Sequence, residues 1–215
     1  LNPQPAIEVT SSNWYNPFMN YKIFMVPGIL VLLLTMIGTN LTAANIVKEK
    51  EVGTIEQINV TPIKKHHFIL SKLIPFWLLA LIVLTIGFII ARLFYGIIPT
   101  GSFFTIYVFA AIYLLAILGL GLLISTFSAT QQQSMLVSFF IMMIFVLMSG
   151  LYTSIESMPT WAQWITRFNP VSYFIETLRM IILKGSGFCD LLKNFGVISL
   201  FAVVFNVLAI LHYKK

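Results

Sequence analysis

Apolar residues fill long stretches of this chain, and short polar segments separate them. A helix that crosses the hydrocarbon core of a membrane needs about 20 apolar residues, and five stretches meet or approach that length. The uncharged run from Leu93 to Ile155 is too long for one crossing, so we divide it at STFSATQQQS, residues 125–134. The pattern predicts an all-α, polytopic membrane protein with transmembrane helices at about 23–47, 69–94, 103–124, 135–153 and 194–213.

The composition favours a membrane protein over a soluble domain. Hydrophobic residues make up 59% and charged residues 9% of the 215-residue chain, whereas about a quarter of the residues in soluble domains are charged. The net charge is +6, but the basic residues are scattered among apolar runs, which argues against nucleic-acid binding. Cys189 is the single cysteine, and the adjacent His66 and His67 have no third ligand nearby, so the sequence indicates no metal site.

Positive charge predicts the orientation. Lysines concentrate in the segment 48–67 and at the C-terminal end, Lys214 and Lys215. Five spans place this segment and the C-terminus on the same side, which the positive-inside rule makes cytoplasmic. Residues 1–22 are polar and proline-rich and do not begin with methionine. We expect them to be the end of an extracytoplasmic domain or linker, and the chain to be the later part of a longer protein, with residues 23–215 as its transmembrane domain.

The polar segment 48–67 must lie in water, because each charge at the membrane centre costs about 2.5–3.5 kcal/mol. Thr54 and Gln57 fit a capping box, and Pro62 disfavours helix just before it, which predicts a short helix at about 55–60. Gly53 permits a sharp turn before that helix. The residues alone leave two interpretations open: a solvated connector or a contact surface for a partner.

A second amphipathic segment, residues 156–185, is predicted to form a helical hairpin. Pro159 can open a first helix, and Asn169-Pro170 breaks it before a second helix at about 170–183 that stops at Gly185. Glu176 and Arg179 are close enough in sequence to pair. Tryptophans and apolar residues share one face of the first helix, which indicates a re-entrant or interfacial hairpin; a passive anchor and an exit gate both fit this pattern.

Small residues recur at every fourth position from the end of the third predicted span into the turn that follows it. Gly121, Ser125 and Ala129 form a stripe along which another helix can approach closely. Gly38 and Thr42 provide a weaker version on the first span. Both patterns indicate helix packing.

The string KEKEVGTIEQINVTPIKKHHFILSKLIP resembles the signature of type-2 ABC transporter permeases. Its matching positions are Glu51, Gly53, Thr54, Glu56, Thr61, Pro62, Lys72 and Pro75. FMVPG at 24–28 and FNPVSYFIETLR at 168–179 resemble two further segments of that family. The first span and most of the outer domain expected of the family do not occur in this chain, so the resemblance implies six spans in the full subunit.

The resemblance implies the membrane subunit of an ATP-driven exporter in a bacterial inner membrane. Residues 48–62 would contact a separate ATPase subunit as a coupling helix, with Glu49, Glu51 and Glu56 as salt-bridge partners. ATP and magnesium would bind that partner and not this chain, in which nothing matches G-x-x-x-x-G-K-[ST]. A second permease subunit, identical or different, would complete the pathway, the hairpin would lie near its outer end, and the cargo would be drugs, lipids or other amphipathic compounds.

Two other functions are weighed against this one. A polytopic membrane enzyme, such as a lipid-modifying transferase or an intramembrane protease, needs polar catalytic groups within its spans. The predicted spans carry no Asp, Glu or His in their central thirds. A purely structural or assembly protein would show no response to nucleotide in any partner complex.

Overall fold

The computed structural model describes residues 21–53 and 65–212 and contains no β-strand in those ranges. A π-helical segment, Ile37–Leu41, joins the first two α-helices without a break, and short 3-10 turns lie at Ile155–Ser157 and Cys189–Leu191. The α-helices are α1 (Tyr21–Met36), α2 (Thr42–Glu51), α3 (Lys65–Tyr95), α4 (Phe103–Phe127), α5 (Gln131–Leu147), α6 (Thr160–Thr166), α7 (Pro170–Lys184) and α8 (Leu192–His212).

Four helical stretches among the described residues are long and apolar enough to cross a membrane: Tyr21–Glu51, Ile69–Tyr95, Phe103–Phe127 and Cys189–His212. The prediction of an all-α, multi-pass membrane protein is therefore confirmed. The predicted span at 135–153 corresponds to α5, which has 17 residues and a length of about 25 Å, less than the ~30 Å hydrocarbon core. It ends earlier than predicted because the chain turns after Leu147, and Gly150 has a φ of 77°.

The first helical stretch extends further than the sequence indicated. We expected a polar loop from residue 48, but Lys48 to Glu51 form the last turn of α2. Lysine and glutamate are good helix formers, and the helix stops only where Gly53 adopts a left-handed φ of 77°. The predicted helix at about 55–60 lies outside the described residues.

Helix α4 lies at the centre of the bundle. It packs most extensively along α8 and also contacts α2, α3 and α7, and most of its side chains are buried. Phe109 and Tyr113 of α4 stack against Phe174 of α7, with ring centroids 5.6 and 4.2 Å apart respectively. The Tyr113 hydroxyl hydrogen-bonds to that of Thr35 in α1 at 2.5 Å, so the core joins the long first stretch to α7.

Helices α6 and α7 begin and end close to the predicted positions. Pro159 precedes α6, and the side chain of Asn169 caps α7 by accepting a hydrogen bond from the backbone N–H of Val171 at 3.0 Å. Gly185 ends α7 with a φ of 65°. Trp161 and Trp164 on α6 are 65% and 62% exposed, whereas α7 buries most of its apolar side chains.

Candidate functional site

Three consecutive charged residues in the last turn of α2 contact three different helices. Glu49 forms a salt bridge with Lys72 of α3. Lys50 donates a hydrogen bond through Nζ to the backbone carbonyl of Ser125 near the end of α4. Glu51 accepts a hydrogen bond from the backbone N–H of Gln131, at the start of α5, with 2.9 Å between Oε1 and N. The start of the predicted coupling segment is thereby attached to α3, α4 and α5.

These contacts differ in how strongly the solvent screens them. The Glu49 and Lys72 side chains are 17% and 33% exposed, so their attraction is less screened than that of a surface pair. The second carboxylate oxygen of Glu49 is buried and has no hydrogen-bond partner. Glu51 is exposed, and its carboxylate lies at the N-terminus of α5, where the helix dipole favours negative charge.

Glu49 and Glu51 therefore already have partners within this chain, which the sequence did not indicate. Both were expected to offer their carboxylates to an ATPase subunit. Lys50 was not singled out at all, because its acceptor is a backbone carbonyl 75 residues away and no side-chain pattern signals such a contact. Gly53 turns the chain out of α2, and Thr54, Glu56, Thr61 and Pro62 lie outside the described residues.

Of the three small residues predicted to form a packing stripe, Gly121 lies against the π-helical segment and the start of α2. A Cβ atom added to Gly121 would lie 2.7 Å from the backbone carbonyl oxygen of Thr39 and 3.0 Å from the Cβ atom of Thr42. Ser125 is buried one turn further on. Ala129 is exposed and lies beyond the end of α4, because the backbone becomes extended at Ser128. The packing surface therefore consists of Gly121 and Ser125, without Ala129.

At the opposite end of the molecule, α6 and α7, the two helices of the predicted hairpin, are attached to the C-terminal end of α5. Asn169 is buried and donates a hydrogen bond through Nδ2 to the backbone carbonyl of Phe145 at 2.6 Å. Thr166 and Ser172 both donate to the carbonyl of Met148, at 3.3 and 3.2 Å. Pro170 occupies the first turn of α7, where its missing N–H costs nothing. The hairpin thus satisfies carbonyl groups that the end of a helix leaves unpaired.

The predicted pairing of Glu176 with Arg179 is not formed. The Arg179 side chain instead donates through Nη1 to the carbonyl of Gly150 at 3.1 Å, and its Cζ atom lies 3.5 Å from the ring centroid of Phe24. Glu176 is exposed on the same helix. Burial lowers the pKa of Arg179 to about 10, which still leaves the guanidinium charged at neutral pH.

Acidic, histidine and cysteine side chains do not cluster into a metal site anywhere in residues 21–53 and 65–212. Cys189 is a free, exposed thiol.

Comparison with known proteins agrees with the sequence motifs. Residues 1–211 match the family model described as ABC-2 family transporter protein. The probable multidrug ABC transporter permease YbhR of Escherichia coli (strain K12) is 35% identical over 179 residues, which cover 83% of this chain and 49% of that protein. YbhS of the same organism, also named a probable multidrug ABC transporter permease, is 30% identical over 213 residues, covering 99% and 56%.

A more distant relative is the linearmycin resistance permease protein LnrN of Bacillus subtilis (strain 168). It is 24% identical over 177 residues, which cover 82% of this chain and 45% of that protein. The chain spans about half the length of the curated relatives it matches. Because the family model covers nearly the whole chain, this protein belongs to the ABC-2 family of transporter proteins.

Proposed function

We propose that this chain forms part of a permease subunit of an ATP-binding cassette exporter. Such a subunit moves drugs, lipids or other amphipathic compounds out of the cytoplasm and is not itself an enzyme. ATP and magnesium bind a separate ATPase subunit, and a second permease subunit completes the pathway. Family membership and the names of the relatives support this proposal.

The single observation that supports a mechanism is the attachment of the last turn of α2 to three other helices. An ATPase that pushes on residues 48–62 displaces the end of α2, and the contacts of Glu49, Lys50 and Glu51 transmit that displacement to α3, α4 and α5. Alternating access requires two arrangements of packed helices with different contacts in each. Contacts at the helix ends allow such rearrangement while the apolar core stays packed.

The proposed location is the inner membrane of a bacterial cell, with residues 48–67 and the C-terminus in the cytoplasm. The lysines on this side support that orientation. Membrane lipids surround the apolar faces, and no nucleic acid is involved. The hairpin of α6 and α7 then lies at the outer face, where its exposed tryptophans suit the headgroup region.

We also propose that the hairpin gates the exit of the pathway rather than serving only as an anchor. Its residues Thr166, Asn169 and Ser172 contact the end of α5, and the start of α5 contacts Glu51. One helix therefore connects the cytoplasmic turn with the hairpin. Movement of α5 along or about its axis changes both ends together.

The test uses the full-length permease, reconstituted in lipid with its ATPase subunit. Replacing Glu56 with alanine, or deleting residues 52–60, should abolish the stimulation of ATP hydrolysis by the permease and weaken copurification of the ATPase. Membrane insertion and the unfolding temperature should stay close to those of the unaltered protein. Normal ATPase stimulation in the deletion variant would refute the assignment of this segment as the coupling element.

A further inference from the structure

A cavity beside the hairpin contains a guanidinium group whose hydrogen-bonding capacity is only partly used. The cavity has a volume of about 530 Å³, and Arg179 lines it together with Phe24, Gly150, Glu156, Glu176 and Lys184. Arg179 uses Nη1 for its bond to Gly150. Its Nε and Nη2 atoms are buried and have no hydrogen-bond partner.

The two unpartnered nitrogens lie on one edge of the guanidinium. This edge presents two parallel N–H groups, the geometry that binds a carboxylate or a phosphate through two hydrogen bonds at once. A buried donor on a charged group that lacks an acceptor is costly, and an oxyanion removes that cost for both donors. The side chain is therefore suited to an oxyanion that the described residues do not supply.

The surroundings of Arg179 restrict which oxyanion fits. Glu156 and Glu176 line the same cavity as Arg179 and Lys184, so the formal charges of these four side chains sum to zero. The two carboxylates would repel a ligand with two negative charges. A ligand that carries one anionic and one cationic group can pair with the basic and the acidic side chains alike. Ile175, Met180 and Leu183 add an apolar wall, which favours a ligand with hydrocarbon attached.

From these features we infer that the cavity binds the headgroup of a zwitterionic phospholipid, with the phosphodiester on the Nε and Nη2 edge of Arg179. The headgroup ammonium then lies toward Glu156 and Glu176. Such a lipid is available wherever the hairpin meets the membrane, and a volume of 530 Å³ lies within the ~300–1,000 Å³ of ordinary ligand sites.

Phe24 covers the guanidinium in the present conformation. Its ring centroid is 3.5 Å from Cζ of Arg179, and its side chain is 37% exposed. A partly exposed ring at the edge of the cavity can change rotamer without repacking the core. The ring lies over the face of the guanidinium, and binding of the phosphodiester requires it to change rotamer so that the buried Nε and Nη2 atoms open to the cavity.

The experiment measures which phospholipids stay bound to the full-length permease after extraction from nanodiscs that contain equal amounts of phosphatidylethanolamine and phosphatidylglycerol. The unaltered protein should retain phosphatidylethanolamine preferentially. Arg179→Gln should reduce that retention about tenfold, because it removes the two charge-assisted hydrogen bonds. Arg167→Gln is the matched control, since Arg167 is an exposed arginine that stacks on Trp164 outside the cavity.

Two additions keep the outcome interpretable if Arg179→Gln unfolds. Phe24→Leu keeps the charge and uncovers the guanidinium, so it should raise phosphatidylethanolamine retention; no increase would overturn the proposal. Inorganic phosphate at millimolar concentration should not displace the lipid, and displacement would make free phosphate the ligand. Equal retention by the Arg179→Gln and unaltered proteins, or equal retention of phosphatidylglycerol, would also overturn it. None of these measurements depends on transport or on an ATPase.

Discussion

Glu51 and Asn169 hold opposite ends of the same helix. The Glu51 carboxylate accepts a hydrogen bond from the backbone N–H of Gln131, the first residue of α5. The Asn169 amide donates to the carbonyl of Phe145 in the last turn of α5. With 17 residues and about 25 Å of length, α5 connects the last turn of α2 with the segment formed by α6 and α7.

Removing the Glu51 carboxylate should break the connection between the last turn of α2 and α5 without unfolding the protein. Glu51 is exposed, and a carboxylate at a helix N-terminus contributes only about 0.3–1 kcal/mol. We expect Glu51→Ala to lower permease-stimulated ATP hydrolysis several-fold in the reconstituted complex, while the unfolding temperature changes little. Asp190→Asn is the control, because it removes an acidic side chain from the loop before α8, where Asp190 accepts only from the backbone of Gly187. Equal effects of the two substitutions would contradict a specific role for Glu51.

The salt bridge between Glu49 and Lys72 should be measurable as a coupling energy. Both side chains are partly buried, so removing one partner leaves a charge with incomplete solvation. We expect Glu49→Gln and Lys72→Met each to destabilise the protein. In the double variant, the loss in free energy of unfolding should be smaller than the sum of the two single losses by about 1–3 kcal/mol. The unfolding of the unaltered protein, the two single variants and the double variant is measured in one detergent, which completes a double-mutant cycle. Additive losses would mean that the interaction between Glu49 and Lys72 contributes nothing to stability.

The orientation of the chain can be checked with thiol labelling. Cys189 is exposed and precedes α8, so a membrane-impermeant maleimide should label it from outside the cell. In a full-length protein otherwise free of cysteine, Lys64→Cys should be labelled only after the membrane is opened. The opposite pattern at Lys64 would place the predicted coupling segment outside and remove its contact with an ATPase.

The sequence predicted the helical segments better than the contacts between them. Asn169-Pro170 and Gly185 mark the ends of α7 because capping and left-handed backbone are local properties of those residues. The contact of Glu51 with Gln131 spans 80 positions, and its acceptor side chain meets a backbone N–H that every residue except proline carries. No residue pattern encodes such a pairing.

The pairing predicted between Glu176 and Arg179 shows a second limit of local rules. The spacing is right for two neighbours on a helix surface, but the rule applies to side chains that both face solvent. Arg179 points inward to Gly150 and Phe24. This orientation depends on the turn after α5 and on α1, which are both distant from Arg179 in the sequence. The same distant contacts created the cavity that the sequence did not reveal.

Helix packing at Gly121 provides a test on stability alone. In Gly121→Ala the new methyl group would lie 2.7 Å from the Thr39 carbonyl oxygen, and backbone cannot move aside as a side chain can. We expect a loss of about 1–3 kcal/mol from overpacking. Gly196→Ala is the matched control, because nothing lies within 4 Å of the added Cβ atom and a helical alanine is more stable than glycine by about 0.5–1 kcal/mol.

Asn169 can be dissected by substitutions that remove its two hydrogen bonds separately. Its Oδ1 atom caps α7 through Val171, and its Nδ2 atom bonds to Phe145. Serine can keep the capping bond but cannot reach Phe145, whereas alanine loses both. We therefore expect Asn169→Ala to destabilise the protein by about 1–3 kcal/mol and Asn169→Ser by less.

If Asn169 links the hairpin to α5, the alanine and serine variants should not rank in ATPase stimulation as they rank in stability. Both substitutions break the bond to Phe145, so both should reduce permease-stimulated ATP hydrolysis to a similar extent, despite their unequal effects on stability. The two assays run on the same reconstituted variants distinguish a capping residue from a linking one. If ATPase stimulation followed the unfolding temperature across the two variants, Asn169 would act only as a helix cap, and the connection through α5 would have to run through Thr166 and Ser172 instead.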